Sequence, residues 1–218
     1  MIPLRALQQI VARPVAPVAP RVAPPAPCEL CGAPLGDPHR HVLELAPEGG
    51  PPRRVACACG ACAVLFAHVQ GATAHYRTVP TRVLADARCT LTPHALAQLG
   101  IPVGLAVFFT TATGAPFALY PGAAGVVETE LAPDVWSALL GDTTVAAIAE
   151  PEVEAVLVHA ERGSEQLACF LVPIDVAYDL AGRLRRTWRG FSGGDEARRE
   201  LSTFFDELRR RSRTRGAR

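Results

Sequence analysis

The chain has 218 residues, of which 49% are hydrophobic and 20% charged, which suffices for one sizeable domain or for a medium domain plus a small one. All 22 basic residues are arginine, which excludes a Schiff-base lysine, a P-loop lysine and a lysine general base. The sequence contains no run of about 18 apolar residues, so we predict no membrane span. The N-terminus lacks the apolar region of a secretory signal, and we therefore expect a cytoplasmic protein.

Charge is unevenly distributed, although the formal net charge is only +1. Residues 81–182 carry three arginines against twelve acidic residues, whereas residues 183–218 carry twelve arginines against five. The simpler interpretation is a basic helix that packs on an acidic face of the same chain, and the alternative is a docking surface for an acidic partner.

Residues 1–27 form an N-terminal tail rich in proline and alanine. Proline is so dense in residues 11–27 that neither a helix nor a central strand can form, so we predict an extended, polyproline-like linker. Before this linker, four apolar residues recur at helical spacing and predict a short helix that could dock on another surface: Leu4, Leu7, Ile10 and Val11.

Two C-x-x-C motifs dominate residues 28–80, which hold five of the seven cysteines. Cys28 and Cys31 form the first motif, and Cys59 and Cys62 form the second after an interval of 27 residues. A C-x-x-C turn directs both sulfur atoms the same way, so two facing turns can enclose a metal ion in four thiolates. We therefore predict a zinc-ribbon domain in which these four cysteines are the metal ligands.

The segment between the motifs predicts a β-hairpin, since HVLEL from His41 alternates in polarity and RRVA from Arg53 precedes Cys57.

Cys57 can replace Cys59 as a ligand, face the interior, or serve as a redox-active thiol. His39 lies two positions before His41, so both side chains share one face of a strand and can supply a ligand in place of a cysteine. A solvent-exposed histidine pair is the more common case. The odd cysteine count and the absent secretory signal disfavour disulfides in this cluster.

Zinc is the predicted metal because a site closed by four thiolates is typical of structural zinc and leaves no position for a substrate. Iron is the alternative, since rubredoxin also holds its iron with two C-x-x-C motifs. The second motif of rubredoxin typically carries a proline and a following glycine, whereas the sequence here is CGACA, so a rubredoxin-like electron carrier is less favoured.

Residues 81–208 predict an α+β domain that begins with a β-hairpin. The first strand, VGLAVFFTT, follows Pro102, and the second, FALYP, follows a turn at Gly114. Pro133 opens a helical pattern, and a further helical stretch is predicted over residues 143–149.

A second hairpin is predicted from residues 152–159 and 166–172, followed by two helices that begin after Pro173 and at Asp195. The predicted order is ββ-α-ββ-αα, which fits an α+β fold better than a doubly wound parallel sheet. Residues 209–218 are predicted to be a disordered, arginine-rich tail.

Other apparent motifs are weaker. GFSGG, which contains Ser192, resembles the nucleophile elbow of hydrolases. That elbow follows a strand and needs a histidine downstream, whereas here a helical pattern precedes the motif and no histidine follows His159. We therefore predict a loop and a helix cap at this position. Cys89 and Cys169 are expected to be buried or half-buried thiols, and His159 is expected to be structural. An arginine cluster around Trp188 could bind phosphates and bases, although a solvated basic helix face is the simpler interpretation.

Several strings together resemble an uncharacterised bacterial protein family, mainly actinobacterial, whose genes lie beside those of nickel–iron uptake hydrogenases. The resemblance covers residues 28–208 and rests on CELCG, HRHVLEL, RRVACACGACAVLF, YPGAAGVVE and FLVPIDVAYDLAGRLRRTWRGFSGG. It implies a cytoplasmic accessory role around a hydrogenase, with a hydrogenase subunit or maturation factor as the partner. It supplies no catalytic residues, and only the cysteine positions carry over.

The favoured function is therefore that of a metal-binding accessory or adaptor protein that acts through protein–protein contacts. The first alternative is a rubredoxin-like iron electron carrier. The second is a nucleic-acid-binding zinc ribbon, which the acidic body of the chain disfavours. An enzyme is the least favoured class, because the sequence shows neither a nucleophile–base pair nor an open metal site, and we predict no catalytic residue.

Overall fold

The computed structural model places most of the residues that it describes in two β-sheets and five α-helices, and the predicted α+β class is confirmed. No helix in the described part of the chain is both long and apolar enough to cross a membrane. The predicted N-terminal helix and most of the linker lie outside the described residues. The residues that the structure describes are 26–45, 54–67, 75–101, 104–122, 125–160, 164–190 and 193–215.

The first sheet has three antiparallel strands in the order β2-β1-β3: β1 (Arg40–Glu44), β2 (Arg54–Ala58) and β3 (Tyr76–Thr78). The predicted hairpin between the cysteine motifs is confirmed as β1 and β2. Val42 and Leu43 are both fully buried, but successive side chains of a strand point to opposite faces. Val42 joins a small cluster around Cys28, and Leu43 joins the main core, so this sheet is covered on both faces.

The second sheet consists of seven strands: β4 (Leu84–Asp86), β5 (Leu105–Thr110), β6 (Pro116–Gly122), β7 (Gly125–Glu130), β8 (Glu154–Ala160), β9 (Leu167–Pro173) and β10 (Arg213–Arg215). Their order is β10-β4-β9-β8-β5-β6-β7, and every pairing is antiparallel except that of β10 with β4. Both predicted hairpins are confirmed, as β5 with β6 and as β8 with β9.

The helices predicted after Pro133, after Pro173 and near Asp195 are present, and the helical stretch predicted over residues 143–149 is present only in part. That segment contains only a 3₁₀ turn, Ala146–Ile148. Pro151 disfavours a helical backbone at the residue before it, which limits the segment to a single turn. The helices are α1 (Gly60–Ala67), α2 (Pro93–Gln98), α3 (Pro133–Leu140), α4 (Ile174–Thr187) and α5 (Gly194–Arg211).

The seven-stranded sheet separates two apolar layers. Along β5, Val107 and Phe109 face the layer formed by α4 and α5, whereas Ala106 and Phe108 face the layer formed by α2, α3 and the 3₁₀ turn. The first sheet lies on the same side as α4 and α5. Helix α4 therefore lies against the hairpin of β1 and β2, where Asp175 contacts His41.

Residues 209–215 do not form the disordered tail predicted from their composition. Helix α5 continues to Arg211, and β10 then pairs with β4, where the backbone N–H of Arg213 donates to Val83 O at 3.0 Å. The apolar face of α5 includes Leu208, which is 2% exposed and holds this end of the helix on the core. Burial and backbone pairing therefore outweigh the arginine-rich composition.

Removing β10 is expected to weaken the sheet edge. A chain truncated after Arg211 loses the hydrogen bonds between β10 and β4, at about 1 kcal/mol each, so we expect a loss of about 2–3 kcal/mol in unfolding free energy by urea denaturation. A chain truncated after Arg215 is the matched control and should unfold like the full chain. Equal midpoints for both truncations would contradict a role of β10 in the fold.

Candidate metal centre

The structure brings the four cysteines of the two C-x-x-C motifs together. The sulfur atoms of Cys28, Cys31, Cys59 and Cys62 all lie within 4.8 Å of one another. Cys28 is buried, Cys31 is exposed, and the other two are half-buried. The cluster therefore lies at the surface of the domain with one side anchored in its interior.

The first motif is a tight turn at the start of the described chain. The backbone N–H of Gly32 donates to Cys28 O at 2.8 Å, and Cys28 donates in turn to Ala33 O at 2.7 Å. Gly32 has φ +75°, a left-handed conformation that costs a glycine little. The turn is tied to β2, because the backbone N–H of Cys57 donates to Glu29 Oε1 at 2.9 Å and Glu29 N donates to Cys57 O at 2.9 Å.

The second motif links the end of β2 to α1. Cys59 follows the last residue of β2, and its carbonyl accepts the backbone N–H of Ala63 at 3.0 Å, so the motif forms the first turn of the helix. Beneath it, Phe66 packs on Tyr76 with ring centroids 5.2 Å apart. These contacts direct Cys59 and Cys62 toward the first motif.

Hydrogen bonds give the four thiols different pKa values. The backbone N–H of Cys59 donates to Cys28 Sγ at 3.3 Å and lowers the pKa of that thiol to about 6. The neighbouring thiols, Cys31 first among them, raise the pKa of Cys62 to about 12. Four thiolates at such short range repel one another, so all four ionise together only when a cation compensates their charge.

The spacing of the sulfur atoms fits a tetrahedral metal ion. Zinc–sulfur bonds of about 2.3 Å at tetrahedral angles place the sulfurs about 3.8 Å apart. The Sγ atoms of Cys31 and Cys59 are 3.7 Å apart, close to this value. The four sulfur atoms are therefore close enough to bind one metal ion together.

The fifth thiol of this region, Cys57, and the histidines His39 and His41 do not join this cluster. One nitrogen each of His39 and His41 lies within 4.8 Å of Cys57 Sγ, in a separate group. The shared face of the two histidines was visible in the sequence, but their approach to Cys57 depends on the pairing of His41 with Cys57 across β1 and β2. Asp175, which hydrogen-bonds His41, carried no signal in the sequence.

Cys89 and Cys169 are not the free thiols expected from the sequence. The structure joins them as a disulfide, with Cα atoms 6.0 Å apart, within the usual range for such a pair. Cys169 lies in β9, and Cys89 lies 80 residues earlier, so a contact between strand and loop brings them together.

The weaker motifs that the structure describes make contacts within the fold. The His159 ring stacks on Phe205 with centroids 4.1 Å apart. Arg183 pairs with Asp179 and Glu200, which fits a basic helix face that is neutralised within the chain. Ser192 lies outside the described residues, and α5 begins after Gly193.

Fold and site together define an α+β protein with a surface cluster of four cysteines able to bind a metal ion. The chain belongs to the family of unknown function DUF5947, whose pattern matches residues 27–212. This span includes both C-x-x-C motifs, the five described α-helices and every described strand except β10. No curated protein and no solved structure matches the chain.

Proposed function

We propose that this protein is a zinc-binding accessory or adaptor protein that acts through protein–protein contacts in the cytoplasm. The cluster of four cysteine sulfurs within 4.8 Å of one another carries the proposal. A metal ion there crosslinks the start of the described chain to the junction of β2 and α1. Four thiolates complete a tetrahedral shell, so the ion stabilises a surface rather than activating a substrate.

Elemental analysis of the anaerobically purified full chain, together with its visible spectrum, tests the metal. Zinc bound without colour at the four-cysteine site is the expected result, and loss of that zinc in a Cys62→Ser variant would assign it to this site. Iron with thiolate charge-transfer bands would contradict the zinc proposal and support a rubredoxin-like electron carrier.

The surface that the metal site supports has an apolar face suited to a protein partner. Val64 and Leu65 on α1 are 67% and 65% exposed, while Ala63 and Phe66 on the other side of the helix pack inward. These two adjacent aliphatic side chains form a small apolar surface beside the four-cysteine cluster that a partner can cover. We propose that this face of α1 binds a hydrogenase subunit or maturation factor, the partner that the family resemblance implies.

Polar substitution of this face is expected to weaken the complex selectively. Burial of one valine or leucine side chain contributes about 1.5–3 kcal/mol, so the double variant Val64→Ser, Leu65→Ser should bind the partner at least about tenfold more weakly. Kd values are measured by calorimetry against purified hydrogenase subunits and maturation factors.

Val127→Ser is the matched control, since Val127 is the other large exposed aliphatic residue in the described chain and lies on the edge strand β7. It should leave the Kd unchanged. Equal affinity of the double variant and the full chain, with metal content intact in both, would exclude the face of α1 as the binding surface.

A further inference from the structure

A second group of metal-binding side chains lies on the hairpin, apart from the four-cysteine cluster. His41 pairs with Cys57 across β1 and β2, and His39 lies two residues before His41. The two imidazole rings meet edge to face with centroids 4.9 Å apart. One nitrogen of each ring and Cys57 Sγ lie within 4.8 Å of one another, a span that one metal ion can bridge.

Two imidazoles and one thiolate suit a borderline divalent ion of the zinc type. Three protein ligands leave a tetrahedral ion with one open position, which distinguishes exchangeable or catalytic sites from closed structural ones. All three side chains line a cavity of about 730 Å³ between the hairpin and helices α4 and α5. An open coordination position at this site is therefore accessible to a small molecule.

The hydrogen bonding of the histidines supports this assignment independently of the spacing. His39 Nε2 is buried and has no hydrogen-bond partner, an uncommon state for a buried ring nitrogen and one that a metal ion would relieve. His41 Nδ1 lies 2.5 Å from Asp175 Oδ2. A carboxylate on one ring nitrogen orients the other nitrogen toward a metal and raises its basicity.

Asp175 is itself held in place for this role. It lies in the first turn of α4, where its Oδ1 accepts the backbone N–H of Val176 at 2.9 Å and leaves Oδ2 for His41. Cys57 is fixed from the other side, because its backbone N–H and carbonyl both bond to Glu29. Asp175 thus occupies one nitrogen of His41, and Glu29 bonds only the backbone of Cys57, so neither partner takes up the Cys57 sulfur.

We propose that His39, His41 and Cys57 form a second, open site for a divalent zinc-type metal ion, with Asp175 as a positioning residue for His41. The site is chemically distinct from the four-cysteine cluster and shares none of its ligands. The cavity that these residues line would admit a small oxygen, nitrogen or sulfur donor as the fourth ligand.

Total metal capacity of the full chain tests the proposal. The zinc-loaded protein is titrated with Co²⁺ and freed of unbound metal, and zinc plus cobalt per chain is then measured with the visible spectrum. The expected capacity is two ions for the full chain and one for His39→Asn and for Cys57→Ser. Cobalt at the second site should give thiolate charge-transfer bands that Cys57→Ser abolishes.

Matched variants separate the two sites. His94→Asn alters a histidine on α2, outside both groups, and should keep the capacity of two. Cys62→Ser should lose the ion of the four-cysteine cluster while the bands that depend on Cys57 persist. This pattern distinguishes failure of the second site from failure of the zinc ribbon.

Asp175→Asn tests the positioning role. It should lower Co²⁺ affinity at the second site about 10- to 100-fold while the capacity and the melting temperature remain those of the full chain. A capacity of one ion in the full chain, or a capacity of two in both His39→Asn and Cys57→Ser, would overturn the proposal.

Discussion

Cys28→Ser is expected to remove the metal of the four-cysteine cluster and to destabilise the two C-x-x-C turns around it. A structural zinc ion contributes about 10–16 kcal/mol of apparent binding free energy in small domains, and one missing thiolate forfeits much of it. The apolar cluster beneath the site is small, with Leu35, Val42 and Ala58 as its buried members besides Cys28. Burial of so few side chains cannot replace the metal.

Elemental analysis after dialysis against a chelator, followed by a thermal melt, measures this effect. We expect less than about a tenth of the normal metal at this site, and a loss of at least about 5 kcal/mol in the stability of the two turns. Strand β1 should stay in place, because Leu43 anchors it in the main core. Cys57→Ser is the matched control, because it removes a thiol from the same hairpin and should retain the ion in the four-cysteine cluster. Full retention of that ion in both Cys28→Ser and Cys62→Ser would show that these residues are not ligands.

Arg82→Met is expected to cause a large loss of stability that does not depend on metal. Glu154 has a fully buried side chain, and both of its oxygens accept bonds from the Arg82 guanidinium at 2.6 Å. Without the arginine, a buried carboxylate would lack its counter-charge, a change that typically costs 3–5 kcal/mol. Because the Arg82 side chain is 40% exposed, water can partly replace it, and we expect a loss of about 3 kcal/mol.

A loss of this size lowers the melting temperature of a chain of this length by about 6–12 °C. Arg198→Met is the control, since Arg198 forms an exposed i,i+3 pair with Asp195 and should lose less than about 0.5 kcal/mol. The double variant Arg82→Met, Glu154→Met removes the buried charge as well and should recover part of the loss. A melting point for Arg82→Met equal to that of the control would refute the argument.

The sequence predicted those parts of the structure whose signals are local. The proximity of four sulfur atoms follows from two C-x-x-C turns, whose geometry is set within four residues each. The hairpins of β5 with β6 and of β8 with β9 follow from apolar runs separated by short turns. Helices α4 and α5 follow from their apolar periodicity.

The parts that were missed depend on contacts between distant residues. Strands β4 and β10 have three residues each, too few for a recognisable pattern, and pair across the length of the domain. Strand β7 is an exposed edge strand and therefore lacks the alternation of a half-buried one. The contact of His41 with Asp175 spans 134 residues and arises only when α4 packs against the hairpin.

The position of β4 in its sheet has a consequence for folding during synthesis. Its two neighbours, β9 and β10, lie far downstream, since Leu84 pairs with Leu171 on one side and with Arg213 on the other. At roughly 5–20 residues per second, the ribosome takes on the order of ten seconds to supply both neighbours after β4 emerges. During that interval both C-x-x-C motifs have already left the ribosome, while α4 and α5, which support the hairpin, do not yet exist. The nascent cysteines thus meet the metal pool before the core that anchors them can form.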